Sequence, residues 1–419
     1  MPRPQLRSTA AVFTTMSALA ATSILTGPSV AEPFSTAPCA LHRTPAHHSE
    51  GVDTWNAAYT RPTRALDAVM VFLSFPDSAP RVTPAELTAD HFPATSRFFE
   101  QASYGKLKLR PHPLSHWIRM PHSSTSYAIR RDWKAAQRAE YLRDAFRVAD
   151  REVDFSRYDI VYFVADPDAP GVDSDATKVV NLETPMHLDG KDVRRVVTVF
   201  EKHPPDRLVL AHETGHVFDL PDLYHRPVDG KGDWDTYVGD WDLMGSQFGM
   251  APDLFAWHKW KLGWLDPRQV VCVRGAAPTR LTLEPLAAGE ETPTVGAAGA
   301  PAFGLGQGVK LAVVRTGADT ALAFEVRGAV GNNHAECRQG VLVYRVRSGT
   351  ESGGGPIEVV DAHPHSEACW EGSVYPPLAD APVALGESFT VPGEGVKVEA
   401  ESRTASGAWN VKITPAITG

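Results

Sequence analysis

The chain has 419 residues, 43% of them hydrophobic and 22% charged, the balance of a globular protein long enough for two domains with substantial cores. A formal net charge of −9 leaves no basic footprint, which argues against nucleic acid as a partner. Beyond the N-terminal segment no stretch is long and apolar enough for a bilayer, so stable membrane insertion is not expected.

In chain order, residues 1–31 read as a secretory signal. Arg3 and Arg7 make a basic start, an apolar run interrupted by Thr and Ser follows, and Ser29-Val30-Ala31 offers small residues for cleavage. The mature protein is therefore expected to be secreted and extracellular. Residues 32–60, rich in Pro, Thr, His and Ala, are expected to form a linker or a short pro-segment. Residues 66–75 read as a buried strand ended by Pro76-Asp77. A helix is predicted over 92–101, closed by Ser103-Tyr104-Gly105, and a longer one over 132–149 with Asp132 as its cap. Two more buried strands are predicted at 158–164 and 196–200. Alternating strands and helices give an α/β or α+β domain over residues 61–266.

Past residue 266 the pattern changes to short β-rich runs separated by Gly and Pro, at 281–286, 309–314, 321–326, 341–346, 357–360, 396–400 and 409–413. In the last of these Trp409, Val411 and Ile413 share one face. Such runs predict a β-sandwich over residues 267–419. The fold class expected for the whole chain is α+β. Four cysteines, in an exported chain, suggest two disulfides. Cys337 with Cys369 is the natural pair inside the β-rich region, which leaves Cys39 with Cys272. A rival reading makes Cys39 a thiolate that blocks a metal in a latent form.

The segment that carries chemistry is His212-Glu213-Thr214-Gly215-His216. On a helix, histidines four residues apart lie on one face and can share a metal, and Glu213 is placed to act on water beside it. This is the H-E-x-x-H arrangement of zinc peptidases. The preceding residues, Leu208-Val209-Leu210-Ala211, are apolar, so the helix is expected to be buried, and a buried His-Glu-His face without a cation would strand polar groups. A third ligand must come from elsewhere. No glutamate occurs between Glu213 and Glu284, which disfavours the class that recruits one from a second helix. Asp222, six residues past His216, has the spacing of the metzincin class, and Met244 fits that class's methionine turn.

Three stretches also resemble the immune inhibitor A-like secreted metalloproteases: His212 to Tyr224 (HETGHVFDLPDLY), Trp241 to Gly245 (WDLMG) and Ala256 to Leu265 (AWHKWKLGWL). Phe75-Pro76-Asp77, Ser103-Tyr104-Gly105, Gly340 to Val346 and Val359 to Pro364 are similar as well, in the family's order. The resemblance implies a secreted zinc endopeptidase, with a metzincin-like domain followed by a β-domain. It implies His212, His216 and Asp222 as ligands of Zn2+, Glu213 as the base, and protein or peptide substrates. One departure stands out: Asp219 occupies a position that is glycine in the family. Asp tolerates the left-handed backbone, so the turn is expected to survive, but a second carboxylate near the metal leaves the third ligand open among Asp222, Asp219 and His225.

The expected mechanism is attack by a metal-activated water, with Glu213 moving the proton and Tyr224 or Tyr237 supporting the oxyanion. Two acidic loops, with Asp166, Asp168, Asp173 and Asp175 and with Asp229, Asp233 and Asp235, offer the oxygens that calcium takes, so Ca2+ is a second cofactor left open. The competing reading is a non-catalytic surface-binding protein whose metal is structural and closed by a fourth ligand from His225 or Asp219.

Overall fold

The structure, a computed structural model, describes residues 39–44, 50–206, 208–227, 231–250, 253–289, 294–295, 301–302 and 306–415. The expected signal at 1–31 and Asp229 lie outside these. The first strand, β1 (Ala65–Ser74), is apolar at nearly every position because both of its faces are covered. Leu66, Ala68, Met70 and Phe72 enter one core and Val69, Val71 and Leu73 a second. Helices α1 (Pro84–His91) and α2 (Ala94–Ala102) follow. The sequence reading missed α1, although Thr83 and Glu86 make a reciprocal capping box at its start.

Strand β2 (Lys108–Arg119) runs parallel to β1 at the sheet's outer edge, the place where Pro111 and Pro113 are tolerated in a strand. After the single turn α3 (Ser124–Tyr127), helix α4 (Ala135–Ala149) begins later than expected, with Lys134 rather than Asp132 at its N-cap. Strands β3 (Ile160–Ala165), β4 (Lys178–Leu188) and β5 (Lys191–Val199) complete a sheet of order β2-β1-β3-β5-β4. All its pairings are parallel except β4 with β5, so β4 is an antiparallel edge strand. Helix α5 (Val209–Val217) carries the H-E-x-x-H segment and is buried at every position, as its apolar lead-in predicts. Helix α6 (Ala256–Lys261) closes this half.

The β-rich half contains β6 (Val270–Val273), β7 (Thr279–Leu283), β8 (Thr294–Val295), β9 (Pro301–Ala302), β10 (Leu311–Arg315), β11 (Thr320–Arg327), β12 (Gly340–Arg347) and β13 (Ile357–Val359). Strands β14 (Ser388–Thr390), β15 (Lys397–Arg403) and β16 (Trp409–Thr414) end it. One sheet has the order β13-β12-β11-β10-β6 and a second the order β14-β15-β16-β7. They face each other across a core of Leu322, Phe324, Val343, Val398, Trp409 and Val411. The chain as a whole is thus a mixed α+β structure.

The sheet centred on β11 is apolar on both faces. Leu322 and Phe324 point into the sandwich, while Ala321, Ala323, Leu342, Tyr344 and Val346 join the same core as Leu210, Met244 and Trp257. A buried polar cluster sits in that contact. Glu325 Oε2 accepts from Ala256 N at 2.7 Å, at the start of α6, and from Tyr344 Oη at 2.7 Å. Arg327 pairs with Glu325 at 2.6 Å and donates to Trp241 O at 2.8 Å. The tryptophans of α6 and its exit are buried too, and two of them tie down the N-terminal strap: Trp257 Nε1 donates to Val52 O and Trp264 Nε1 to Pro62 O, each at 2.7 Å. The described residues of the stretch expected as linker therefore lie against the body of the protein.

Both disulfides fall as preferred from the sequence, Cys39 with Cys272 and Cys337 with Cys369, and no cysteine is left free to block a metal. Among the described residues no helix is long and apolar enough to cross a membrane. Cys39–Cys272 spans 233 residues, so it constrains the unfolded chain over the whole sheet that holds the site. Replacing both cysteines by serine is expected to lower unfolding free energy by about 2–4 kcal/mol, read by denaturant titration. An unchanged midpoint would show that the packing of the strap alone holds this end.

Candidate metal centre

Helix α5 presents both histidines to one point. Their rings lie 5.0 Å apart between centroids, and each is anchored from its far side: His212 Nδ1 to Leu243 O at 2.9 Å, and His216 Nδ1 to Leu220 O at 2.8 Å. A backbone carbonyl accepts only from N–H, so each Nδ1 carries the proton and each Nε2 offers its lone pair to the space between them. The chain reverses immediately after α5. Asp219 adopts the left-handed backbone at φ 70°, which permits the turn in place of glycine. The reversal brings Asp222 Oδ1 to 3.3 Å from His212 Nε2 and 3.1 Å from His216 Nε2.

That oxygen is buried and makes no well-formed hydrogen bond. Two nitrogen lone pairs and one orphaned carboxylate oxygen, all within 4.8 Å of one another, form a donor set that a cation completes. Without one, electrostatics bind the three together. Burial opposes charge on both partners, yet Asp222 drives the His216 imidazole up to about 10. The imidazoles hold the Asp222 carboxyl well below the usual carboxylate range despite its burial. The residues present therefore fit a divalent metal with nitrogen and oxygen ligands.

Asp222 is not held by its own half of the molecule alone. Its N–H donates to Ser352 Oγ at 2.9 Å, Ser352 Oγ donates to its Oδ2 at 3.3 Å, and Gly353 N–H donates to its carbonyl at 3.0 Å. Ser352 lies in the loop between β12 and β13. Underneath, Met244 packs directly on α5: a Cβ at Gly215 would meet Met244 Sδ at 2.5 Å, which explains why glycine stands beside His216. Asp242 Oδ1 accepts from Met244 N–H at 2.8 Å and its Oδ2 from Phe255 N–H at 2.6 Å, fixing this turn.

The other two contenders for third ligand point elsewhere. Asp219 is fully buried with its Oδ2 2.9 Å from Lys261 Nζ and accepting from Asn56 N–H at 3.3 Å. Burial pushes its carboxyl up to about 6 against the pull of Lys261. His225 packs edge-on against Tyr237, ring centroids 5.1 Å apart. Of the two tyrosines, Tyr224 stacks on His212 at 6.3 Å and 17° and lines the cavity, whereas the backbone carbonyl of Tyr237 accepts from Val359 N–H at 2.8 Å, tying it to β13.

Glu213 is buried on the same helix face. Its Oε2 accepts from Val179 N–H of β4 at 2.7 Å, and burial raises its carboxyl above the ordinary range against the pull of the two imidazoles. The cavity in front of the three candidate ligand atoms measures about 570 Å³ and is lined by β4, α5 and the loops around Tyr224 and Ser246. The sequence reading missed Glu50, whose Oε1 accepts from Tyr59 Oη at 3.2 Å and Asn181 Nδ2 at 2.9 Å at the cavity wall. It also missed Val179 and Ser352. Pro185 within β4 signals an edge strand, but nothing local marks Ser352 as a neighbour of Asp222.

The acidic loops do not gather into a cation cage among the described residues. Asp166 accepts from Ser78 Oγ at 2.7 Å and Asp168 N–H at 3.0 Å, and Asp173 accepts from Asp175 N–H at 3.1 Å. A second trio, His122, Glu140 and Asp144, lies close together at the surface, but Asp144 already accepts from Tyr127 Oη at 2.8 Å and pairs with Arg147 at 2.7 Å.

No family model matches the chain, and no curated protein matches it. Two crystal forms of wild-type OgpA from Akkermansia muciniphila are among the solved structures it matches. One is 11% identical with a TM-score of 0.27, covering 85% of this chain and 94% of that one. The other is 10% identical with a TM-score of 0.25, covering 76% and 95%.

Two outcomes separate the carboxylates. In protein loaded with Zn2+, Asp222→Ala is expected to lose most of the metal on dialysis, whereas Asp219→Asn is expected to keep it but destabilise the fold by roughly 3 kcal/mol, because Lys261 is left buried without its counter-charge. Ser352→Ala is expected to weaken zinc about 10-fold in a competition titration, the usual scale for a residue that orients a ligand. Zinc loss greater for Asp219→Asn than for Asp222→Ala would move the third ligand.

Proposed function

We propose that this chain is a secreted zinc-dependent endopeptidase of the metzincin type, acting on protein or peptide substrates. In this reading residues 61–266 form the catalytic domain and residues 267–419 a supporting β-sandwich. The observation that carries it is the convergence of His212, His216 and Asp222 with Glu213 beside them, at the wall of a cavity large enough for several residues of an extended peptide. The Met244 packing under α5 and the reversal at Asp219 support the metzincin assignment.

A zinc ion, when bound, supplies Lewis acidity that polarises a scissile carbonyl and acidifies an attacking water. Everything else falls to the chain. Glu213, held by Val179 N–H, takes a proton from the attacking water and passes it to the leaving amine. Its raised affinity for protons suits both halves of that transfer. Tyr224, stacked on His212 beside Asp222, is the donor placed to meet the developing oxyanion. The edge strand β4 offers backbone groups to an extended peptide, and its contact with Glu213 sets that peptide next to the base.

A structural metal site would need a fourth protein ligand. Asp219 is committed to Lys261 and His225 to Tyr237, so neither favours that reading. Glu213→Gln is expected to retain one zinc per chain while casein hydrolysis falls by at least about 100-fold, and a chelator is expected to abolish the wild-type activity reversibly. Zinc retention with undiminished turnover in Glu213→Gln would overturn the mechanism. Absence of hydrolysis by zinc-loaded wild type would overturn the function.

A further inference from the structure

We propose that Arg131, Lys178 and Arg226 form a subsite for a carboxylate carried by the substrate next to the bond that is cut, an inference that deepens the peptidase reading and rests on it. All three side chains line the cavity that holds His212 and Glu213. Lys178 directly precedes Val179, whose N–H sits on Glu213 at 2.7 Å, so its side chain leaves the backbone one residue from the base. Its Nζ donates to Arg131 O at 2.6 Å, which holds the ammonium beside the arginine.

A ladder of packed rings places Arg131 relative to the proposed metal ligands. Tyr224 stacks on His212 at 6.3 Å, Trp234 packs on Tyr224 at 5.4 Å, and the Arg131 guanidinium lies 4.5 Å from the centroid of Trp234. Arg226, two residues past Tyr224, is held by its N–H to Gly353 O at 3.2 Å. Its head group is 3.7 Å from Asp132, whose side chain is 91% exposed, a pair that solvent leaves weak.

Two of the three cations are left without a close ion pair among the described residues. Neither Arg131 nor Lys178 has a carboxylate partner in an ion pair among the described residues; their recorded polar contacts are to a backbone carbonyl and an aromatic face. Burial and then Arg138 and Arg226 push the Lys178 ammonium down, opposed by Glu213 and Asp132. The cavity also carries carboxylates, Glu50, Asp175, Glu201, Asp206 and Asp235 among them, so the three cations form a basic cluster within a cavity of both signs. A carboxylate entering here would gain charge-assisted hydrogen bonds from a guanidinium fork and an ammonium.

That carboxylate has two sources, an Asp or Glu side chain or the C-terminus of a short peptide. The test uses internally quenched peptides matched except for Glu or Gln on either side of the cleaved bond, each with a free or an amidated C-terminus. Wild type is expected to favour the carboxylate member by roughly 10-fold or more in kcat/KM. Arg131→Gln combined with Arg226→Gln, both at exposed positions, is expected to bring the ratio down to about 2. Dependence on Glu against Gln assigns the side chain, and dependence on free acid against amide assigns the C-terminus.

A second measurement needs no turnover: Kd of the same peptides for zinc-loaded Glu213→Gln protein. Equal Kd values for acid and amide members overturn the subsite, as does a preference that survives the double variant. A preference in Kd without hydrolysis of any peptide by wild type upholds the subsite and sinks the peptidase reading instead.

Discussion

Everything at the centre depends on a buried convergence that would be repulsive or unsatisfied if any part moved. Two imidazole nitrogens and one carboxylate oxygen point at the same small volume, and each is pinned from behind. Leu243 O and Leu220 O take the far ring nitrogens, while Ser352 and Gly353 hold Asp222. The price of such an arrangement is that three separate segments must arrive in register. Helix α5 supplies two donors, the reversal at Asp219 supplies the third, and the loop after β12 clamps it.

The β-rich half is therefore structural support for the site and not an appendage. Its central sheet is apolar on both faces because it divides two cores, one within the sandwich and one shared with α5 and α6. Glu325 accepts from the first N–H of α6, and Arg327 neutralises that carboxylate while holding Trp241 O, immediately before the Met244 turn. Lys261, on the same short helix, balances the buried Asp219 and also holds Gly51 O of the N-terminal strap. Buried charges of this kind tolerate no loss of a partner, so the polar cluster fixes one mutual placement of the halves.

The cavity in front of His212, His216 and Asp222 mixes charged and polar groups with Val179, Val209, Trp234 and Phe248. Its features lie along β4: Lys178 at one side of the Val179–Glu213 contact, Asn181 with Glu50 at the other. The strand edge thus carries charged groups of both signs in a fixed order along one direction.

Local chemistry was legible in the sequence alone. The His212/His216 spacing, Glu213 beside it, the apolar lead-in to α5 and the left-handed tolerance of Asp219 are properties of neighbouring residues, and neighbouring residues set helix faces and turns. The strands buried on both faces were legible for the same reason, as unbroken apolar runs, and even cysteine counting led to the right bridges. Edge strands β2 and β4 were not, since half-exposed strands containing proline carry little periodic signal. Spacing ranked Asp222 ahead of Asp219 and His225 but could not set the other two aside. What places them differently is Lys261, distant in sequence, which pairs with Asp219, and Ser352, more distant still, which bonds Asp222 beside the histidines. Spacing tells which residues can reach a point; only the charges and donors that the fold brings in from elsewhere determine which of them is left to occupy it.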